Sequence, residues 1–316
     1  MIAYVVRRAL VAVLLVFAVS SASLVLTRLA PGDFVTESLG THASREAMER
    51  MRERYGLNKS IAQQYRDWLA AAVRLDFGYS LQYDRPVREL IPERAANTAI
   101  LAVTALGLAT VIGLPLGVLS GSRRSGALAA LVRAASVVML SMPPLLTSLF
   151  LVFVAARTGW FPIGGMSSAA VTGGGALLDL VHHLVVPAAA VGLPLAAMLE
   201  RLQAQATTDV IGEPFVLATL ARGVPYSRVV WRDALKPALR PVASVYGLIV
   251  GTLLSGSFAV EVITAWPGLG KLMLDALRAR DVFLVAGCAG TGAIFLAFGT
   301  LFSDLILGLV DPRARE

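Results

Sequence analysis

Residues 213–238 read EPFVLATLARGVPYSRVVWRDALKPA, a basic stretch broken by glycine and proline and set between two apolar runs. It is too charged to lie in lipid and too short to be a domain. Its flanks decide the fold. Leu184–Leu199 on one side and Pro241–Val260 on the other contain no Asp, Glu, Lys or Arg. Four further windows of the same kind follow when the search moves outward: Ala9–Thr27, Ala95–Ser122, Ala134–Ala156 and Val282–Ser303. Roughly 20 helical residues cross a ~30 Å hydrocarbon layer, and backbone polar groups in lipid must be bonded within their own segment. The Leu184–Leu199 window is the short one, and it reads as continuing past Glu200 and Arg201 in an amphipathic extension. The chain is therefore expected to be an all-α membrane protein with six transmembrane helices.

Composition agrees. Of the 316 residues 56% are hydrophobic and 16% charged, with a net charge of +7. A soluble domain carries about 25% charged residues. In a soluble chain the positive balance would point to nucleic acid; here basic cytoplasmic loops explain it, and no nucleic-acid partner is expected. The single cysteine, Cys288, excludes an internal disulfide. The first window could be a cleaved signal peptide, given YVVRRAL before it and AVSSAS within it, but its length and the five windows that follow favour an uncleaved anchor.

Arginine and lysine set the orientation. With the N-terminus inside, Arg7, Arg8, the SRRSG loop, the 209–240 segment and the DPRARE tail all face the cytoplasm. The 209–240 segment holds Arg222, Arg228, Arg232, Lys236 and Arg240 against Asp209, Glu213 and Asp233. The opposite segments are balanced, including ten bases and ten acids in 30–94. The expected topology is N-in, C-in. Residues 1–29 then form the N-terminus and first span, 30–94 an extracytoplasmic helical segment, 95–310 a five-helix core with the cytoplasmic loop 209–240, and 311–316 a cytoplasmic tail. In 30–94, Ser44 is placed to cap REAMERMRERYGL and Ser60 to cap IAQQYRDWLAAAV, whose Ile61, Tyr65, Trp68 and Leu69 fall on one helix face.

Motifs for catalysis or metal binding are missing from the sequence. There is no H-E-x-x-H, no Cys/His metal spacing and no G-x-S-x-G. His182 and His183 are adjacent and point apart on a helix. WPGLGKLM is not a phosphate loop, because Ala265 and Leu272 stand where glycine and Ser/Thr are required. No catalytic residue, metal or cofactor is assigned to the chain. Asp304 is the acid that falls near the end of the last span, and a structural ion pair is its expected role. GLPLG (Gly113, Gly117) and GLIVG (Gly247, Gly251) allow close helix approach. Pro115, Pro143, Pro144 and Pro194 are expected to break spans. Together these residues describe helices that pack tightly and shift against one another.

EPFVLATLARG has helical periodicity, Gly223 ends it, and a second helix starts after Pro225. Phe215, Val216 and Leu220 give this helix–glycine–helix element the character of a docking knob. A surface helix held by anionic lipid is the competing reading. Here the sequence resembles the permease subunits of the dipeptide, oligopeptide and nickel class of ABC importers. Their cytoplasmic coupling loop has an E-A-A-x-x-x-G core; Leu217, Ala218 and Thr219 fall on its first three positions, Gly223 on the glycine, and Leu239-Arg240-Pro241 on the closing apolar-proline step. RLAPGD, LDFGYSLQYDRPV, SMPP, HLVVPAAAVGLP, AWPGLGKLMLDALRARD and DLILGLVDPRAR extend the resemblance over nearly the whole chain. Leu217 departs from the family's acid, and Arg240 from its usual apolar residue.

The resemblance implies a pore of two homologous six-helix subunits above two ATPase subunits, which bind ATP and Mg²⁺. It also implies an external substrate-binding protein that delivers cargo. Coupling to the ATPase would fall to Glu213, Phe215, Leu217, Ala218, Thr219, Ala221, Gly223, Pro225, Leu239 and Pro241. Gly113, Gly117, Pro143, Pro144, Gly247 and Gly251 would serve helix packing and gating. The cargo would be peptides, with nickel or another small solute as the alternative, and the location the cytoplasmic membrane. An intramembrane protease would need a catalytic pair, and a proton-coupled carrier more buried acids than Asp304; neither is found in the sequence.

Overall fold

The computed structural model describes residues 2–310 except Pro31, 40–43, Val73, Leu75, 124–125 and 169–174. The tail 311–316, part of the SRRSG loop and the side chain of Asp304 lie outside the described residues. The chain is helical nearly throughout. Among the described residues four helices are long and apolar enough to cross a membrane, or up to five spans if one bent pair counts as a span. They are α1 (Ile2–Leu29), α5 (Val87–Ser122), α8 (Ala176–Ile211), α14 (Val282–Val310) and the bent pair α6 (Ala127–Ser141) with α7 (Pro144–Thr158). Most of the fifth window is helical, as α11 (Leu235–Gly256), and its last three residues begin a separate short helix, Phe258–Ile263.

The third window is not one rod. Its two halves meet at 105° across Met142 and Pro143. Pro144 occupies the first position of α7, where its missing N–H costs nothing, and Pro143 before it is held in extended backbone. Pro115 and Pro194 behave otherwise: α5 and α8 run through them unbroken. A single proline removes only one i→i−4 bond, and a long helix packed against neighbours can absorb that loss.

The described residues fall into two compact units. The first comprises residues up to Thr98 together with Pro267–Ala297. In it α1 packs on α4 (Ile61–Ala72), where Leu24 and Trp68 cluster with Val282 and Ala286 of α14, and the Tyr65 hydroxyl is 3.0 Å from Ser21 Oγ. Ser44 caps α3 (Arg45–Arg54) by accepting from Ala47 N. Ser60 and Gln63 satisfy each other's backbone N–H at 3.3 Å, a reciprocal capping box. The buried face of α4 differs from its apolar pattern: Ile61 is exposed and Gln64 buried. Gln64 is drawn in because its amide donates to the Lys59 and Leu57 carbonyls and accepts from Arg28.

A hairpin of β1 (Tyr79–Ser80) and β2 (Arg85–Pro86) precedes α5. Asp281, just ahead of α14, holds it. One carboxylate oxygen accepts from Ser80 Oγ at 2.6 Å and Gln82 N at 3.1 Å, and the other accepts from Leu284 N. Burial pushes this carboxyl's pKa up, against the pull of those donors. Asp281 thus joins the LDFGYSLQYDRPV stretch to the end of AWPGLGKLMLDALRARD, 201 residues away.

The second unit comprises Ala99–Trp266 and residues from Phe298 onward. Its centre is α8, packed against α6, α7 and α11. Along α5, Gly113, Gly117 and Gly121 face α8 so closely that an added Cβ would meet Ala196 O at 2.5 Å and Glu200 O at 2.6 Å, and would strike Ala204. In lipid such close approach replaces the hydrophobic effect as the source of helix adhesion. Gly299 meets the Gly251 backbone in the same way, at 2.5 Å. Glu200 and Gln203 are buried at this seam, and the Ser120 hydroxyl lies against a Glu200 carboxylate oxygen. The amphipathic extension expected beyond Leu199 therefore buries its first acid.

Candidate functional site

The segment 209–240 forms one compact element in the second unit. Glu213, in extended backbone, and Pro214 at the first helical position start α9 (Pro214–Ala221); the Glu213 carbonyl accepts from Val216 N and Leu217 N. Gly223 donates its N–H to Leu220 O and then turns the chain at φ +82°. A residue with a Cβ resists that conformation, so glycine is suited to it. Pro225 precedes α10 (Tyr226–Arg228), its carbonyl accepting from Arg228 N and Val229 N. A π turn, Val229–Ala234, leads directly into α11. Pro237 has no N–H to return to the Asp233 carbonyl, so the usual bond cannot close there.

Val216 is the packing centre of the element. It is fully buried with Val229 and Ala234, and Val210, Ile211, Leu220 and Val224 close around it. This corrects the reading of Phe215, Val216 and Leu220 as one knob. Val216 and Leu220 hold the element to the protein, while Phe215 and Leu217 stand 48% and 53% exposed. Ala218 and Ala221 share that open face. The Thr219 hydroxyl donates to Phe215 O, accepts from Arg222, and so stays within its own helix. Leu239 is half-buried. Pro241 lies inside α11 on an exposed face; Tyr226 to Gly256 is one continuous helical run.

The element is tied to the end of α5. The last four carbonyls of any helix lack intrahelical donors. In α5 each finds a side chain: Ser122 Oγ donates to Leu119 O at 3.2 Å, Arg133 to Ser120 O at 3.4 Å, Thr208 to Gly121 O at 3.0 Å, and the Tyr226 hydroxyl to Ser122 O at 2.5 Å. Arg133 belongs to α6, Thr208 to α8 and Tyr226 to α10. Three parts of the unit thus grip one helix end. Tyr226 and Thr208 escaped the sequence reading, because nothing local distinguishes a tyrosine or threonine that bonds a carbonyl about a hundred residues away.

Of the packing residues, Gly113 and Gly117 lie in the α5–α8 seam and Gly251 against Gly299, while Gly247 is buried on α11. Pro143 and Pro144 make the 105° bend. His182 Nε2 lies 2.8 Å from Trp160 O, and His183 Nδ1 2.8 Å from Asp179 O. Among the described residues no three His, Cys, Asp or Glu side chains gather as a metal site.

Comparison with known proteins places these features in context. A family model described as "Binding-protein-dependent transport system inner membrane component" matches residues 113–316, and a companion model for the N-terminal part matches residues 1–102. The chain is 33% identical to the oligopeptide transport system permease protein AppB of Bacillus subtilis (strain 168) over 315 residues, 99% of both chains. It is 31% identical to the dipeptide transport system permease protein DppB of Escherichia coli (strain K12) over 307 residues, 90% of this chain and 91% of that one. A solved inward-facing structure of the MetNI methionine ABC transporter matches with a TM-score of 0.55 at 19% identity, over 71% of this chain and 97% of that chain. At that identity the likeness bears on the fold alone.

Proposed function

We propose a function from one premise: this chain belongs to the family of binding-protein-dependent transport system inner membrane components. It is a pore-forming permease subunit of an ABC importer, and its cargo is di- or oligopeptides. The observation that carries the cargo assignment is the match to an oligopeptide permease over 99% of both chains. ATP is hydrolysed in separate subunits. The transporter comprises this chain, a second homologous permease, two ATPase subunits and an extracytoplasmic binding protein in the cytoplasmic membrane. The chain crosses six times with both termini inside, α11 being the fifth span.

Residues 213–241 act as the coupling element. The exposed Phe215, Leu217, Ala218 and Ala221 seat on an ATPase, and the buried Val216 and the Tyr226 bond pass its movement to α8 and α5. Alternation between inward- and outward-open states then follows from differential binding of the two ATPase states. Copurification and reconstitution test this. The full chain should bring down an ATPase and a second permease, and the binding protein should retain di- or oligopeptides when screened. A binding protein that retains nickel and no peptide would overturn the cargo, and a chain that transports alone would overturn the class.

A further inference from the structure

We propose that the helical run from α10 through the π turn into the start of α11 carries a binding site for anionic phospholipid headgroups, formed by Arg228, Arg232, Lys236 and Arg240. These four bases recur every fourth residue, and all are exposed. Val230, Ala234, Ala238 and Val242 recur at the same interval and are all buried. In an ideal α-helix a step of four residues drifts ~40° around the axis, so three steps would scatter the bases. The π turn at Val229–Ala234 holds more residues per turn and takes part of that drift back. The bases therefore stay in one row opposite the apolar stripe.

None of the four is ion-paired with a carboxylate among the described residues, and Asp233, the acid among them, is half-buried beside the row. Four unneutralised cations call for anions. Their position names the anion: the row ends at Arg240, and the charge-free run Pro241–Val260 begins at the next residue. Trp231, 50% exposed beside Arg232, is the residue type that settles at a membrane–water boundary. Long basic side chains at that depth reach lipid phosphates while their stems lie along apolar surface. The site rests on the reading that residues 241–260 cross the membrane with 209–240 on the cytoplasmic side.

The test uses the full chain, with whatever subunits copurify, in nanodiscs of phosphatidylcholine containing phosphatidylglycerol. Lipid that remains with the protein after extraction is counted by mass spectrometry. The natural protein should be enriched in phosphatidylglycerol over the bulk. R232Q and K236Q should each lower that enrichment about fivefold, the equivalent of ~1 kcal/mol for one base near an anionic surface. Changing all four bases to glutamine should abolish it, replacing the three arginines by lysine should retain it, and R66Q on α4 should leave it unchanged. Equal enrichment in the four-glutamine variant, or none in the natural protein, overturns the site. Loss of a copurifying ATPase from that variant with enrichment intact also overturns it, and assigns the row to a protein partner while the permease reading stands. Enrichment in a chain that captures no ATPase upholds the lipid site and sinks the permease reading.

Discussion

The Tyr226 hydroxyl donates to the main-chain carbonyl of Ser122 at 2.5 Å, across 104 residues of chain. It joins the turn after Gly223 to the end of the longest helix of the first half, at a carbonyl that no backbone donor of α5 can reach. A bond of this kind contributes about 1 kcal/mol net. Tyr226→Phe keeps the ring and removes the donor. In the reconstituted transporter, ATP hydrolysed per peptide taken up should rise, while the amount of chain in the membrane stays the same. An unchanged ratio would show that the bond plays no part in coupling.

Gly223 is held at φ +82° with nothing within 4 Å of the place a Cβ would occupy. A substitution there meets conformational strain rather than a clash. Gly223→Val should cost about 1–2 kcal/mol and uncouple hydrolysis from uptake. Gly223→Asn should retain most activity, because asparagine tolerates left-handed backbone. Equal loss in both would point to a steric cause instead.

Gly117 and Gly107 lie on the same helix and offer a controlled comparison. A Cβ on Gly117 would stand 2.6 Å from Glu200 O, whereas one on Gly107 meets nothing within 4 Å. Gly117→Val should lower thermal stability in detergent by about 1–3 kcal/mol, and Gly107→Val far less. Similar melting of the two variants would remove the α5–α8 seam as a source of stability.

Ser80 and Asp281 should prove energetically coupled. Ser80→Ala and Asp281→Ala each break the same 2.6 Å bond, so the double variant should lose less than the sum of the singles, by about 1 kcal/mol. Strict additivity in thermal unfolding would contradict the shared contact.

Asp33 gives the first unit a pH dependence in the acid range. Burial raises its pKa, but hydrogen bonds from Arg52 and Thr36 outweigh that and bring the group from 3.8 to about 2. Because the folded value is the lower one, the contribution to stability is present above pH 3.8 and is lost as pH falls from 3.8 towards 2. Digestion around Asp33 by an acid-active protease should accelerate through that window in the natural protein, and Asp33→Asn should flatten the response.

The sequence alone determined which segments prefer lipid, because hydropathy belongs to composition and survives whatever the chain packs against. It also determined the turn at Gly223, since local backbone sterics favour glycine in that conformation, and the family, whose motifs are short and contiguous. Tertiary structure decided everything that depends on who faces whom. It turned Val216 inward and left Phe215 outward in a helix where both are apolar. It bent the chain at Pro143–Pro144 yet ran α8 unbroken through Pro194. It put Gln64 rather than Ile61 beneath the surface, because hydrogen bonds to Arg28, Leu57 and Lys59 outweighed the apolar pattern. It brought Ser80 to Asp281 and Tyr226 to Ser122. And through one π turn it kept in a row four bases that an ideal helix would have spread over ~120°.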